Sequence, residues 1–101
     1  MSRVVAFSDD LMDRSKLSTS VPGVVLVRDA EDAAGATCVV VDLGRYAHAI
    51  PAIRSIVPTA RIVAFGRHDD HDALDAALAA GADLALARSR FFRDPAAAVA
   101  P

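Results

Sequence analysis

The sequence is short of the residues that staple, anchor or arm many small proteins. A single cysteine, Cys38, rules out an internal disulfide, and its place in the apolar run Thr37-Cys-Val-Val-Val41 suits a small core residue in a reducing compartment. No apolar stretch approaches the roughly 20 residues of a membrane helix. Asp9 and Asp10 interrupt the N-terminal apolar run before a signal-like segment can form, so a cytoplasmic setting is expected. A basic excess is also missing: the net charge is −2 and the pI near 5.8, which provides no field for nucleic acid or an anionic lipid surface. The chain has no Gly-x-Gly-x-x-Gly, no nucleophile elbow and no paired-cysteine motif. It also has no internal repeat, linker or disordered tract, and its 101 residues suffice for one domain over 1–101.

What is present is a series of short, continuous apolar runs: Val4–Phe7, Val24–Val27, Cys38–Val41, Ile62–Phe65 and, more weakly, Leu84–Ala87. Strands buried on both faces read this way, because helices cover both sides of a parallel sheet. The segments between them have helical character. Asp70 to Ala80 places Leu74, Ala77 and Leu78 at i, i+3, i+4 before the stop at Gly81. A short helix opens at Pro51, carries Ile53, Ile56 and Val57 on one side and ends at Pro58. Ser8 is placed to cap a helix running to about Ser18, with Asp9 and Asp10 at its positive end and a thin apolar face. Asp29 to Gly35 leaves room for about two turns, and a short final helix begins at Asp94-Pro95. The order is βαβαβαβαβ, an α/β fold of flavodoxin-like type: a three-layer sandwich with a five-stranded parallel sheet and short peripheral helices.

Three features resemble the receiver domain of two-component response regulators (CheY-like). They are the acidic cluster after the first strand, Asp42 directly after the third, and Arg88-Ser-Arg-Phe-Phe-Arg-Asp-Pro95 after the fifth. Gly66 to Arg88, with Ala80-Gly-Ala-Asp83, is similar to the receiver's fourth strand, fourth helix and fifth strand. A closer resemblance is to a group of small stand-alone receiver-like proteins. It rests on Asp10-Leu-Met-Asp-Arg-Ser-Lys-Leu17, Gly66-Arg-His-Asp-Asp70 and Arg88-Ser-Arg-Phe91, and it imports no activity.

The receiver resemblance implies that Asp42 is the phosphoacceptor and that Asp9 belongs to a Mg²⁺ site with it. It also implies a hydroxyl residue after strand four and a lysine after strand five, both handling the phosphoryl group. Here these positions hold Gly66 and Arg88, and the usual first acid is Ser8. Glycine supplies no hydroxyl, and a planar guanidinium is no substitute for a compact ammonium at a close contact. For Asp42 the alternative is a loop-capping aspartate, and for Asp9 and Asp10 it is charge complementarity at a helix start. No metal site is therefore expected, Asp9 with Asp42 being the one weak candidate for Mg²⁺. His68, Asp69, Asp70 and His71 lack the further ligands zinc needs, since Cys38 is inside a strand.

Asp9, Asp10, Asp42, Gly66, His68, Asp70, Arg88 and Ser89 all follow strands, so they are expected on one rim at the carboxyl edge of the sheet. Arg88 is expected to pair with Asp42 there. Two adjacent aromatics, Phe91 and Phe92, cannot easily both point inward, so the flank beside the final helix is expected to expose an apolar patch and support a homodimer. These observations point to a degenerate receiver acting as a non-catalytic regulatory protein-interaction module in bacterial signalling, with an unidentified protein partner. Two alternatives stay open: a genuine phosphoacceptor using Asp42, and a small-ligand or anion sensor at the rim.

Overall fold

The computed structural model describes residues 2–100. The valine-rich runs form five parallel strands: β1 (Val4–Phe7), β2 (Val25–Val27), β3 (Cys38–Asp42), β4 (Arg61–Gly66) and β5 (Leu84–Ala87). Their order is β2-β1-β3-β4-β5. Val5 lies opposite Val39, and Val39 opposite Ile62, so the apolar side chains of β1, β3 and β4 fall into two buried layers. Val5, Phe7, Val39, Val41, Ile62 and Ala64 face one way. Ala6, Val40, Val63 and Phe65 face the other. Both layers are dry, which is why these runs are continuous rather than alternating.

The helices depart from the sequence reading in instructive ways. Helix α1 (Leu11–Ser20) is capped by Asp10, not Ser8: the extended Asp10 backbone aims its carboxylate at the Asp13 N–H, while Ser8 is fully buried at the end of β1. Between β2 and β3 there is a single 3₁₀ turn, Ala30–Ala33, instead of a two-turn helix, because Gly35 turns the chain at a φ of 81°. The helical stretch between β3 and β4 starts well ahead of Pro51. Helix α2 (Leu43–Tyr46) follows Asp42 immediately and runs through a 3₁₀ turn, Ala47–Ala49, into α3 (Ile50–Ile56). Leu43, Tyr46, Ile50 and Ile53, spaced three or four residues apart, are all buried along it.

Helix α4 (His71–Ala80) matches expectation, with Asp70 as its cap and Gly81 at a φ of 126° ending it. After β5 the chain enters helix α5 (Arg88–Arg93) at once, and Asp94 both ends α5 and caps α6 (Pro95–Val99). This corrects the expected aromatic patch. Starting a helix at Arg88 turns Phe91 and Phe92 roughly 100° apart, close enough for both to meet the sheet. Phe91 is fully buried and stacks on Phe65 at 4.9 Å, and half-buried Phe92 meets both rings edge-on. Burying a phenylalanine of this kind contributes about 2–3 kcal/mol. Helices α1, α5 and α6 cover this face, and α2, α3, α4 and the 3₁₀ turn at Ala33 cover the other.

At the amino edge one side chain ties three elements together. Arg54 of α3 donates to the carbonyls of Gly81 (3.0 and 2.8 Å) and Ala60 (2.7 Å) and pairs with Asp83 at 2.7 Å. Asp83 in turn accepts the Ile62 N–H at 2.8 Å. The helix α4 terminus, the start of β4 and the approach to β5 are thus held by one guanidinium whose geometry suits several acceptors.

Candidate functional site

The strand order reverses between β1 and β3, and in open parallel sheets the crevice above such a switch point is where ligands sit. The structure brings Asp42, Gly66, Asp70 and Arg88 around one cavity of about 220 Å³ at this carboxyl edge, with Leu43 and Phe65 in its wall. Asp9 and Asp10 line an adjoining, more open depression together with Asp42, Arg45 and Arg88. His68 is exposed in the loop after β4 and Ser89 is exposed on α5; neither lines these cavities.

Each rim carboxylate already has a partner inside the protein. Asp42 Oδ1 accepts the Gly44 N–H at 2.9 Å and so caps α2, the loop-capping role that its position after a strand suggested. Partial burial raises the Asp42 pKa; the Gly44 hydrogen bond and Arg88 oppose this, and the negative charges of Asp13 and Asp10 add to it. The Tyr46 hydroxyl donates to Asp9, and Arg28 approaches the same oxygen at 4.0 Å. Burial, then the Asp9 contact, raises the Tyr46 pKa, which keeps the phenol protonated as the donor. Asp10 caps α1, and Asp70 caps α4 by accepting the Ala73 N–H at 3.0 Å. Arg67 and Asp69 form an exposed pair beside them.

The expected Arg88–Asp42 ion pair is not formed. Arg88 reaches across the top of the sheet to Asp13 of α1, whose side chain is fully buried. That hydrogen bond is the leading cause that raises the Arg88 pKa. The guanidinium lies 5.3 Å from the Phe92 ring centroid and 5.8 Å from that of Phe65, a cation–π seating that fixes its direction. Asp13 wins because it is the carboxylate without solvent: a buried charge left unpaired costs far more than a partly solvated one.

Asp13 and Tyr46 are among the site residues that sequence reasoning missed. A signal for Asp13 was present, since it lies four residues before Leu17 on the one inward stripe of α1. A carboxylate on a buried stripe requires a cation. The pairing is incomplete even so: Asp13 Oδ2 and Ser8 Oγ are buried with no hydrogen-bond partner among the described residues. Gly66 adds a further departure from the receiver pattern. A Cβ there would lie 3.2 Å from Leu43 Cδ1, so Leu43 fills the space into which a side chain at this position would project.

Each carboxylate that could serve Mg²⁺ here already has one oxygen engaged within the protein. Asp9 is bound to Tyr46, Asp10 to the α1 terminus, Asp13 to Arg88 and Asp42 to Gly44. Among the described residues no group of three or more His, Cys, Asp or Glu side chains is arranged to hold a metal ion.

A five-stranded parallel sheet in the order 2-1-3-4-5, sandwiched by helices and carrying aspartates at the ends of its first and third strands, is the receiver fold. The solved structures similar to this chain agree. A response regulator from Burkholderia pseudomallei, with a phosphorylated aspartic acid, calcium and citrate, aligns at a TM-score of 0.84 and 18% identity, over 99% of this chain and 67% of that one. A LuxR-family two-component response regulator from Aurantimonas sp. SI85-9A1 aligns at 0.66 and 26% identity, over 88% and 75%. A CheY-like protein, TadZ, from Pseudomonas aeruginosa PAO1 aligns at 0.72 and 20% identity, over 88% of each chain. No protein-family model matches the chain, and no curated protein matches it in sequence.

Proposed function

We propose that this chain is a degenerate receiver that works as a non-catalytic regulatory protein-interaction module in bacterial signalling. The observation that carries the reading is the engagement of Arg88 by buried Asp13. In a working receiver, the cation after the fifth strand serves the phosphoryl group on the aspartate after the third. Here the cation is committed to an internal anion, and releasing it would strand that anion in the core. Gly66 lacks the hydroxyl that follows a phosphoryl oxygen, and Leu43 occupies the space beside it. Asp42 and Asp9 each have one carboxylate oxygen engaged within the protein.

The test is incubation with acetyl phosphate and Mg²⁺ followed by intact-mass spectrometry. The expected result is no stable modification; a stoichiometric gain of one phosphoryl mass, absent in Asp42→Asn, would overturn the reading. That outcome would favour the second reading, a phosphoacceptor using Asp42, which is supported by the position of that carboxylate at the junction of both rim cavities. A third, an anion sensor, draws on Arg45 and Arg88 in the open depression. A cytoplasmic setting and a homodimer go with the first reading. With Phe91 in the core, pairing has to use other surface. No helix among the described residues is long and apolar enough to cross a membrane.

A further inference from the structure

The break at Asp94 between α5 and α6 leaves a groove on the sheet face that these helices cover, which shares no lining residue with the rim cavities. It has a volume of about 350 Å³, and Leu84, Leu86, Ala97 and Ala98 supply its apolar surface. Around it stand Arg61, at the start of β4, and Arg90 and Arg93 of α5, with Asp94 as the one acidic neighbour. The Asp94 carboxylate caps α6 by accepting the Ala97 N–H at 3.1 Å and pairs with none of the three arginines.

No carboxylate among the described residues neutralises these arginines. Arg28, Arg54, Arg67 and Arg88 all have a carboxylate partner, whereas Arg61, Arg90 and Arg93 have none among the described residues. Arg61 Nε is buried and makes no hydrogen bond among the described residues. A buried donor without an acceptor carries an uncompensated desolvation cost, which a bound acceptor would relieve. The groove is thus a cationic rim over an apolar floor in a chain whose net charge is −2.

We infer that this groove docks an acidic, amphipathic peptide segment of a partner protein, its apolar side chains on Leu84 and Leu86 and its carboxylates on Arg61, Arg90 and Arg93. The inference rests on the reading of the chain as an interaction module and names the partner's chemistry. A bare inorganic anion would leave the apolar floor uncovered, and a neutral apolar peptide would bury guanidiniums without acceptors. Only a ligand with both kinds of group completes the site. Arginine favours such use, since its planar fork matches a carboxylate and loses little hydration on burial.

The test is selection of random twelve-residue peptides on the whole protein, with the best synthesised and titrated against wild type and the double variant Arg90→Glu, Arg93→Glu. Both residues are exposed, so the variant is expected to keep the wild-type circular dichroism and melting curve. Enriched peptides should combine Asp or Glu with Leu, Ile or Phe. They should bind the variant more than about tenfold more weakly, lose affinity in high salt, and shift the NMR signals of Leu84, Leu86, Ala97 and Ala98. Peptides without acidic residues, equal binding to the variant, or identical shifts from inorganic phosphate or citrate alone would each overturn the inference. Concentration-dependent dimerisation abolished by the variant would overturn it too, by making the occupant a second copy. Because the groove is separate from the rim, intact-mass measurement of Asp42 in the same samples tests the module reading independently.

Discussion

Two arginine–aspartate pairs lie at opposite edges of the same sheet and are built on opposite principles. At the amino edge, Arg54 and Asp83 are both partly solvated, and nearly every donor and acceptor is used: backbone carbonyls take the guanidinium, and the Ile62 N–H takes the carboxylate. At the carboxyl edge Asp13 is fully buried, one of its oxygens has no partner among the described residues, and Arg88 is 42% exposed. The first arrangement strengthens the fold through many modest, mutually consistent bonds. The second is a compensated liability, in which the pair prevents a penalty more than it contributes a gain. The two edges thus reach the same kind of ion pair by different routes, one through many shared bonds and the other through the avoidance of a buried, unpaired charge.

The largest effect is expected from removing the fastening. Arg54→Ala should lower stability by about 3 kcal/mol in chemical denaturation, because it deprives several carbonyls and Asp83 of a charged donor. A loss under about 1 kcal/mol would show that those bonds are replaced by water without cost. At the other edge Arg88→Met should cost about 2–3 kcal/mol, less than the roughly 3–5 kcal/mol of a fully buried pair because this guanidinium is partly solvated. The double variant Arg88→Met, Asp13→Leu should recover most of the loss. If it does not, the pair stabilises the fold outright and the contrast between the edges fails.

Acid separates the two edges by sign. The hydrogen bond from the Ile62 N–H and then the Arg54 contact hold the Asp83 pKa below the ordinary carboxylate value of 3.8. Its contribution is present above that value and is lost as the pH falls through the lower folded-state value. Asp42 is raised above 3.8 by burial, so the folded state binds its proton more tightly and stability falls as the pH rises through that window. Asp83→Asn should therefore destabilise by about 1 kcal/mol at pH 7 and flatten the acid limb of the stability curve. Asp42→Asn, which keeps an oxygen for Gly44, should instead stabilise slightly at pH 7, a gain that disappears in acid once the carboxyl is protonated in both the folded and unfolded states. Melting curves from pH 2 to 8 measure both. Gly66→Ser, whose added Cβ meets Leu43, is expected to cost about 1 kcal/mol, a cost absent in a Leu43→Ala background, with no phosphoryl uptake in either variant.

The sheet was legible because strands buried on both faces leave a pattern that local sequence carries, as in Val39-Val-Val41 and Ile62-Val-Ala-Phe65. The rim positions of Asp9, Asp10, Asp42, Gly66, Asp70 and Arg88 were legible for the same reason, since the end of a strand predicts the edge on which its next residue falls, whereas His68 and Ser89 line neither cavity. The partners of the rim side chains were not legible. Nothing near Arg88 in the chain indicates that its carboxylate is Asp13, because that contact exists only once α1 and α5 lie over the same face. Helix α5 was missed because it lacks the usual local signal: Ala87, where it starts, offers no side-chain cap. Phe91 and Phe92 were misread in consequence, because two adjacent aromatics diverge in a strand but lie on neighbouring faces of a helix.

The 2.9 Å hydrogen bond from the Gly44 amide to Asp42 Oδ1 makes that one N–H a natural spectroscopic reporter. Its proton resonance depends directly on the charge of the oxygen it faces, so its chemical shift should follow the Asp42 titration without any introduced label. The same signal would register whatever competes for that oxygen. A phosphoryl group, a cation or a docked ligand at Asp42 would weaken or break the bond, moving the resonance and speeding its exchange with solvent.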